Sequence, residues 1–155
     1  MITLKRFLVP TDYSDTSRRA FSMALGLAEK FGASGASIEL LHIWPAPYFG
    51  PGYGYETAAA LDPSDYKSLF DRIRANAVNE MQTFVSSAVV PAGVTVTTHI
   101  ESGDAPHQIL EFIEAERPDL VVVGTHGRTG PRRWLLGSVA ERVVQHSKSP
   151  VLTVP

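Results

Sequence analysis

The sequence predicts an α/β protein: a single open five-stranded parallel sheet with helices on both faces. Short apolar runs rich in Val, Ile and Leu alternate with longer amphipathic segments from end to end. That strict alternation is the pattern of a parallel sheet whose strands are joined by right-handed helical crossovers. The chain has 155 residues, enough for one domain that buries about 70% of the surface its unfolded form exposes. A hydrophobic fraction of 44% with 19% charged residues belongs to an ordinary globular protein rather than a disordered chain.

Arg6 to Pro10 reads as a buried strand that stops at the turn Pro10-Thr11-Asp12. Ser14 or Asp15 then caps a helix whose apolar face carries Ala20, Ala24, Leu27 and Phe31, and Gly32 to Gly35 ends it. Ser37 to Trp44 is a second strand. Pro45 to Pro63, rich in Pro, Gly and Tyr and almost uncharged, predicts a long irregular loop. Its Tyr48, Phe49, Tyr53 and Tyr55 read as a surface loop, with a lid as the alternative. From Ser64 a helical stripe returns through Tyr66, Leu69, Phe70, Ile73, Ala77, Met81, Phe84 and Val85. Val94 to Ile100 is the third strand. Asp104 caps the next helix, Pro106 is tolerated in its first turn, and Ile109, Leu110 and Ile113 form its apolar face. Pro118 breaks that helix, Leu120 to Val123 is the fourth strand, Ser138 to His146 a short helix, and Val151 to Val154 the fifth strand.

Composition narrows the function classes. A formal net charge of −2 argues against a general nucleic-acid binder, which carries a basic surplus or stripe. The absence of cysteine excludes disulfides and thiolate metal sites and fits a reducing compartment. Met1 to Arg6 lacks the apolar stretch of a signal peptide, and no run of about 20 apolar residues suggests a membrane span. The expectation is a cytoplasmic protein with no nucleic-acid or membrane partner. One domain over residues 1–155, with 45–63 as a loop insertion, accounts for the whole chain.

The densest chemistry follows the fourth strand. Val121-Val122-Val123 empties into Gly124-Thr125-His126-Gly127-Arg128-Thr129-Gly130, and Gly137-Ser138 opens the next helix. Glycines at 124 and 127 let the backbone lie close to a ribose and phosphate. Gly137, Ser138 and Val139, at a helix start, present N–H groups and a hydroxyl that suit an anion. Arg128, Arg132 and Arg133 are either charge-assisted phosphate contacts or a solvated basic loop. In parallel sheets ligands sit beyond the carboxyl ends of the strands, where the winding reverses. Those ends here are Pro10-Thr11-Asp12, His42-Ile43-Trp44 and Gly124-Thr125-His126. His42 reads as a structural histidine, and the histidines do not fall at metal-ligand spacing.

Gly124-x2-Gly127-x9-Gly137-Ser138 resembles the nucleotide-binding signature of the universal stress proteins. Val9-Pro10-Thr11-Asp12-Tyr13-Ser14, Leu40-Leu41-His42-Ile43, Gly103-Asp104 and Ser149-Pro150-Val151-Leu152 extend the resemblance over nearly the whole chain. The resemblance implies strand order 3-2-1-4-5, a Rossmann-like fold of the adenine nucleotide alpha hydrolase type, a homodimer paired through Val151–Val154, and the ATP-binding branch. It places Asp12 on the adenosine part of the nucleotide and Pro10, Thr11 and Ile43 around the adenine. Val123 and Gly124 fall under the ribose, and His126, Gly127, Gly137, Ser138 and Val139 at the triphosphate, with His126 acting through its backbone.

The expected function is therefore an ATP-binding regulator of the stress response. ATP or another adenine nucleotide is the ligand, with Mg²⁺ held through the phosphates, and a further protein partner is left unnamed. The alternatives are a slow ATPase or phosphotransferase and a nucleotide-independent dimeric interaction module. Hydrolysis needs a positioned base and usually a metal-holding side chain. The sequence names no catalytic residue, no metal ligand and no Walker-type Gly-Lys-Ser/Thr run.

Overall fold

A computed structural model describes residues 4–32, 35–44, 63–126 and 136–155. Five strands, β1 (Arg6–Pro10), β2 (Ala36–Trp44), β3 (Val94–Ser102), β4 (Leu120–Gly124) and β5 (Val151–Val154), form one sheet in the order β3-β2-β1-β4-β5. Every pairing is parallel. Between them run α1 (Asp15–Phe31), α2 (Pro63–Ser86), α3 (Ala105–Glu116) and α4 (Ser138–His146). The expected α/β architecture and strand order are both present.

The period-2 pattern of the central strands sorts side chains to two cores. Phe7, Val9, Ile38, Leu40 and Val122 face α1 and the second half of α2, packing with Phe21, Ala24, Leu25, Met81 and Phe84. Leu8, Leu41 and Val121 face the other way, onto Ile109 and Ile113 of α3 and Val143 of α4.

Ser14 is the N-cap of α1: its Oγ accepts the Ser17 N–H at 3.3 Å. The buried face of α1 runs through Ser17, Ala20, Phe21, Ala24, Leu25 and Ala28. Phe31, expected on that face, is 54% exposed in the last turn, so Phe21 and Leu25 supply the bulk the sequence pattern assigned to Leu27 and Phe31. α2 docks through Ala77, Met81 and Phe84, while Leu69 nearer its start is exposed. The strands β2, β3 and β4 each run one or two residues beyond the sequence limits, and Tyr48, Phe49, Tyr53 and Tyr55 lie outside the described residues.

At the amino-terminal end of the sheet, Asp119 locks β1 to the chain entering β4. Its Oδ2 accepts the backbone N–H of Lys5 at 2.8 Å and of Arg6 at 2.9 Å, and its own N–H donates to the Arg6 carbonyl at 2.8 Å. Partial burial on its own raises the Asp119 carboxyl. The Arg6 and Lys5 N–H groups, helped by the charges of those two side chains, outweigh it and hold the pKa below the ordinary aspartate value. A carboxyl depressed in the fold stabilises it above the unfolded-state pKa, and that contribution is lost as pH falls through the folded value. Asp119→Ala is expected to cost about 1 kcal/mol at neutral pH. In urea unfolding at a series of pH values, the gap between variant and parent should close as pH falls below 4 or so. A gap independent of pH would show that the carboxylate charge contributes nothing.

Candidate functional site

The sheet splits between β1 and β4 at its carboxyl end. β1 pairs with β4 only through Phe7↔Leu120 and Leu8↔Val121. Beyond that, Val9 and Pro10 are held by Leu40 and Leu41 of β2, and Val123 and Gly124 by Thr153 and Val154 of β5. The winding reverses at this point, and a cavity of about 290 Å³ opens there, at the small end of the range for small-molecule sites.

One wall is the turn from β1 into α1. The Thr11 N–H continues the ladder to the Leu41 carbonyl at 2.9 Å. Thr11 Oγ1 accepts the Tyr13 N–H and donates to Ser17 Oγ, each at 3.0 Å, and Ser17 Oγ donates to the Ser14 carbonyl at 2.9 Å. These bonds satisfy two buried hydroxyls. Asp12 Oδ1 accepts from the Ser14 N–H at 3.1 Å and from Ser14 Oγ at 2.5 Å. Asp12 is thus a turn-forming residue and a wall of the cavity at once. Tyr13 takes the left-handed conformation (φ 65°), which is costly for a bulky side chain. It is held there by its ring stacked on His42 at 4.2 Å and by its hydroxyl, which donates to the Ala77 carbonyl at 3.0 Å. The His42 Nδ1–H donates to the Thr11 carbonyl at 2.8 Å, a structural role for that histidine.

The opposite wall is the end of β4 and the start of α4. The Thr125 N–H donates to Val154 O at 2.8 Å, and Thr125 O accepts the Gly137 N–H at 2.7 Å. Gly137 is the N-cap of α4, and no side chain caps that helix. The first intrahelical bond runs from the Glu141 N–H to Gly137 O at 2.8 Å, so the N–H groups of Ser138, Val139 and Ala140 have no acceptor within the helix. Gly137 therefore does not offer its own N–H to an anion, as the sequence suggested. That group is already spent on Thr125, and the donors begin one residue later. The start of α3 at the cavity differs: Asp104 Oδ2 accepts the His107 N–H at 3.3 Å, so that terminus already carries its anion. Among the described residues, the N–H groups at the cavity that no side chain caps are those of α4, whose first turn also carries Glu141.

His126 joins the two walls. Its carbonyl accepts a hydrogen bond from Thr16 Oγ1 in the first turn of α1, and its Nδ1 lies 2.8 Å from Thr125 Oγ1. Its Nε2 is buried and, among the described residues, meets no hydrogen-bond partner.

Pro10, Thr11, Asp12, Ile43, Val123, Gly124, His126, Gly137, Ser138 and Val139 all line the one cavity, although they come from four separate stretches of chain. Gly127, Arg128 and Gly130 lie outside the described residues, as do Arg132 and Arg133. The cavity is also lined by Thr125, Ala105 and Ile109, which the sequence reading did not select. Thr125 sits inside the glycine motif and was open to that inference. Ala105 and Ile109 read only as helix start and helix core. Nothing in the sequence marked Thr16.

Gly124 needs its missing side chain for a reason the sequence did not give. A Cβ there would lie 3.0 Å from the Thr16 carbonyl carbon and 3.1 Å from both the Ser17 nitrogen and the Thr16 Cβ. The space is filled by the first turn of α1.

The chain matches the model of the Universal stress protein family over residues 3–155. It is 33% identical over 152 residues to universal stress protein MJ0531 of Methanocaldococcus jannaschii, covering 97% of this chain and 81% of that one. The solved structure of MJ0577 from the same organism is similar, with a TM-score of 0.77 and 27% identity over 99% of this chain and 96% of that one. An Arabidopsis thaliana universal stress protein family structure with AMP bound shares the fold, with a TM-score of 0.59 and 24% identity over 97% of this chain and 90% of that one.

Gly124→Ala is expected to destabilise the protein by about 1–3 kcal/mol, because backbone at Thr16 and Ser17 must retreat. Thermal unfolding without any nucleotide should show a midpoint lower by roughly 2–10 °C. An unchanged midpoint would mean that α1 shifts freely at this contact.

Proposed function

We propose, from the fact that this chain belongs to the universal stress protein family, that it is an ATP-binding regulator acting as a cytoplasmic homodimer, its nucleotide state altering the surface it offers to a partner. The observation that carries the reading is the polarity of the cavity from end to end. Asp12 stands at one wall, and a carboxylate only accepts hydrogen bonds. Ser138, Val139 and Ala140, at the uncapped start of α4, stand at the other and offer only N–H donors and a hydroxyl. The sheet order β2-β1-β4 puts Ile43, at the end of β2, on the far side of Asp12 from α4, with Val123 at the end of β4 between Asp12 and the helix start. A ligand with a flat apolar base at one end, a sugar bearing hydroxyls next to it and an anionic tail beyond fits that order.

In that reading Pro10, Thr11 and Ile43 wall the base, and Asp12 accepts from the sugar hydroxyls. Val123 and Gly124 lie under the ribose. His126, Ser138 and Val139 meet the phosphates beside Gly137, with Gly127, Arg128 and Gly130 completing the cradle. The buried Nε2 of His126 fits a site that gains a polar neighbour when filled. Mg²⁺ would enter on the phosphates and keep several waters. Among the described residues no helix is long and apolar enough to cross a membrane. Dimerisation is assigned to β5 because it is an edge strand, with Val151, Leu152 and Thr153 only half-buried.

Denaturing the purified protein and separating what it releases should yield an adenine nucleotide, and calorimetric titration should show ATP binding. Asp12→Asn keeps an oxygen for Ser14 but loses the charge, and should weaken ATP and adenosine alike by roughly 5- to 30-fold. Ser138→Asp sets a carboxylate at the start of α4. It should leave the melting temperature unchanged or raised, weaken ATP and spare adenosine. No released nucleotide together with no ATP binding removes the proposal. Sedimentation should give the mass of two chains, and a monomer at all concentrations would remove the dimer from it.

A further inference from the structure

Tyr13 stands between the carboxylate of the cavity wall and the cap of α1, in a conformation that a bulky side chain rarely adopts (φ 65°). Asp12 Oδ1 reaches over it to accept the Ser14 N–H at 3.1 Å, so the Tyr13 backbone is part of the ring which that bond closes. Where the Asp12 carboxylate can sit is therefore tied to the φ of residue 13. Glycine or asparagine takes the left-handed form readily. Tyr13 is held in it from outside. Its hydroxyl donates to the Ala77 carbonyl of α2 at 3.0 Å, its ring stacks on His42 of β2 at 4.2 Å, and the Phe84 ring of α2 packs on it at 5.7 Å. His42 is in turn fixed by the Thr11 carbonyl at 2.8 Å. Tyr13, His42, Ala77 and Phe84 all stand outside the cavity lining.

We propose that Tyr13 is a positioning residue: anchored to α2 and β2, it holds the turn in the left-handed form and so presents the Asp12 carboxylate to a sugar hydroxyl of the ligand. The inference rests on the nucleotide-binding reading, in which Asp12 accepts from the sugar. It makes α2, which supplies none of the described lining residues, a support of sugar recognition. The left-handed form costs a residue with a side chain free energy that its surroundings must offset. Here the bond to Ala77 and the stacking on His42, both made by the side chain, offset it. With a residue that lacks those anchors and disfavours the left-handed form, the turn relaxes and draws the carboxylate off the wall. Ile43, Val123 and the N–H groups at the start of α4 belong to other elements and stay where they are. The loss therefore falls on the sugar hydroxyls and spares base and phosphate.

Calorimetric titration with ATP and with its 2′,3′-dideoxy form isolates the hydroxyl contribution as the ratio of the two affinities. Tyr13→Ala removes the anchors and disfavours the left-handed form. It should cut that ratio by roughly 3- to 10-fold and leave the dideoxy nucleotide bound as in the parent. Tyr13→Asn and Tyr13→Gly lose the same ring and hydroxyl but tolerate the left-handed form, and should keep most of the ratio. Lost packing alone would lower all three variants together. If Tyr13→Ala fails to fold, Tyr13→Phe keeps the ring and drops only the bond to Ala77, and should reduce the ratio by about 2- to 5-fold. Three results overturn the proposal while ATP binding itself stands: an unchanged ratio in Tyr13→Ala or its substitute, an equal fall in the alanine, asparagine and glycine variants, or a parent that binds both nucleotides equally. Failure of the parent to bind ATP overturns the nucleotide reading and this one with it.

Discussion

The seating of the first turn of α1 against the end of β4 is the contact on which the rest of the site depends. It is possible because residue 124 has no side chain, and it is fastened by the hydrogen bond from Thr16 Oγ1 to the His126 carbonyl. The strands β1 and β4 part company after Leu8 and Val121, so the sheet itself leaves a gap at its carboxyl end. A gap between two diverging strands exposes backbone and apolar side chains unless something closes it. Here α1 closes it from one face through Thr16 and Ser17, while α3 and α4 border it on the other. The same turn that caps α1 also places Asp12, so the cavity's floor and its carboxylate are set by one local structure.

Charge within the cavity is arranged by two helix starts that have been treated differently. α3 begins with a capping aspartate and α4 with a glycine whose side chain cannot cap. Both termini carry the same partial positive charge, so the difference lies wholly in what already neutralises it. Asp104 occupies an N–H group of one start; at the other, Glu141 sits in the first turn but, among the described residues, no side chain caps the N–H groups that face the cavity. The fold thereby separates an acceptor end from a donor end without a basic side chain among the described lining residues. A site of that polarity would favour one orientation of an elongated ligand.

Much of this was legible in the sequence, for identifiable reasons. Strand and helix order follow from short continuous apolar runs set between segments of period 3.6, and the runs are continuous because both faces of β1 and β4 are buried. The gathering of Asp12, Ile43, Gly124 and Ser138 in one cavity follows from the topology, since each stands at a strand end or helix start beside the winding reversal. Local pattern does not report which partner a group finds across space. Gly124 read as a ligand-facing glycine, yet its Cβ is excluded by a helix that lies more than a hundred positions earlier. The Gly137 N–H read as free, yet it is taken by Thr125. Thr16 carried no mark in the sequence, yet it bonds the His126 carbonyl. In each case the deciding neighbour is distant in sequence and invisible to spacing. Phe31 shows the same limit at a helix end, where periodicity continues after the packing surface has run out.

Under the nucleotide reading, an effect on the proposed dimer would have a direct route from the phosphate end of the cavity. Thr125 holds Gly137 at the start of α4 with its carbonyl and Val154 of β5 with its N–H. The donors that would meet the phosphates and the edge strand that would meet a second copy thus share one peptide neighbourhood. Phosphate recognition would act on that neighbourhood at first hand. A nucleotide stripped of its phosphates would then occupy the cavity while leaving the edge strand almost untouched.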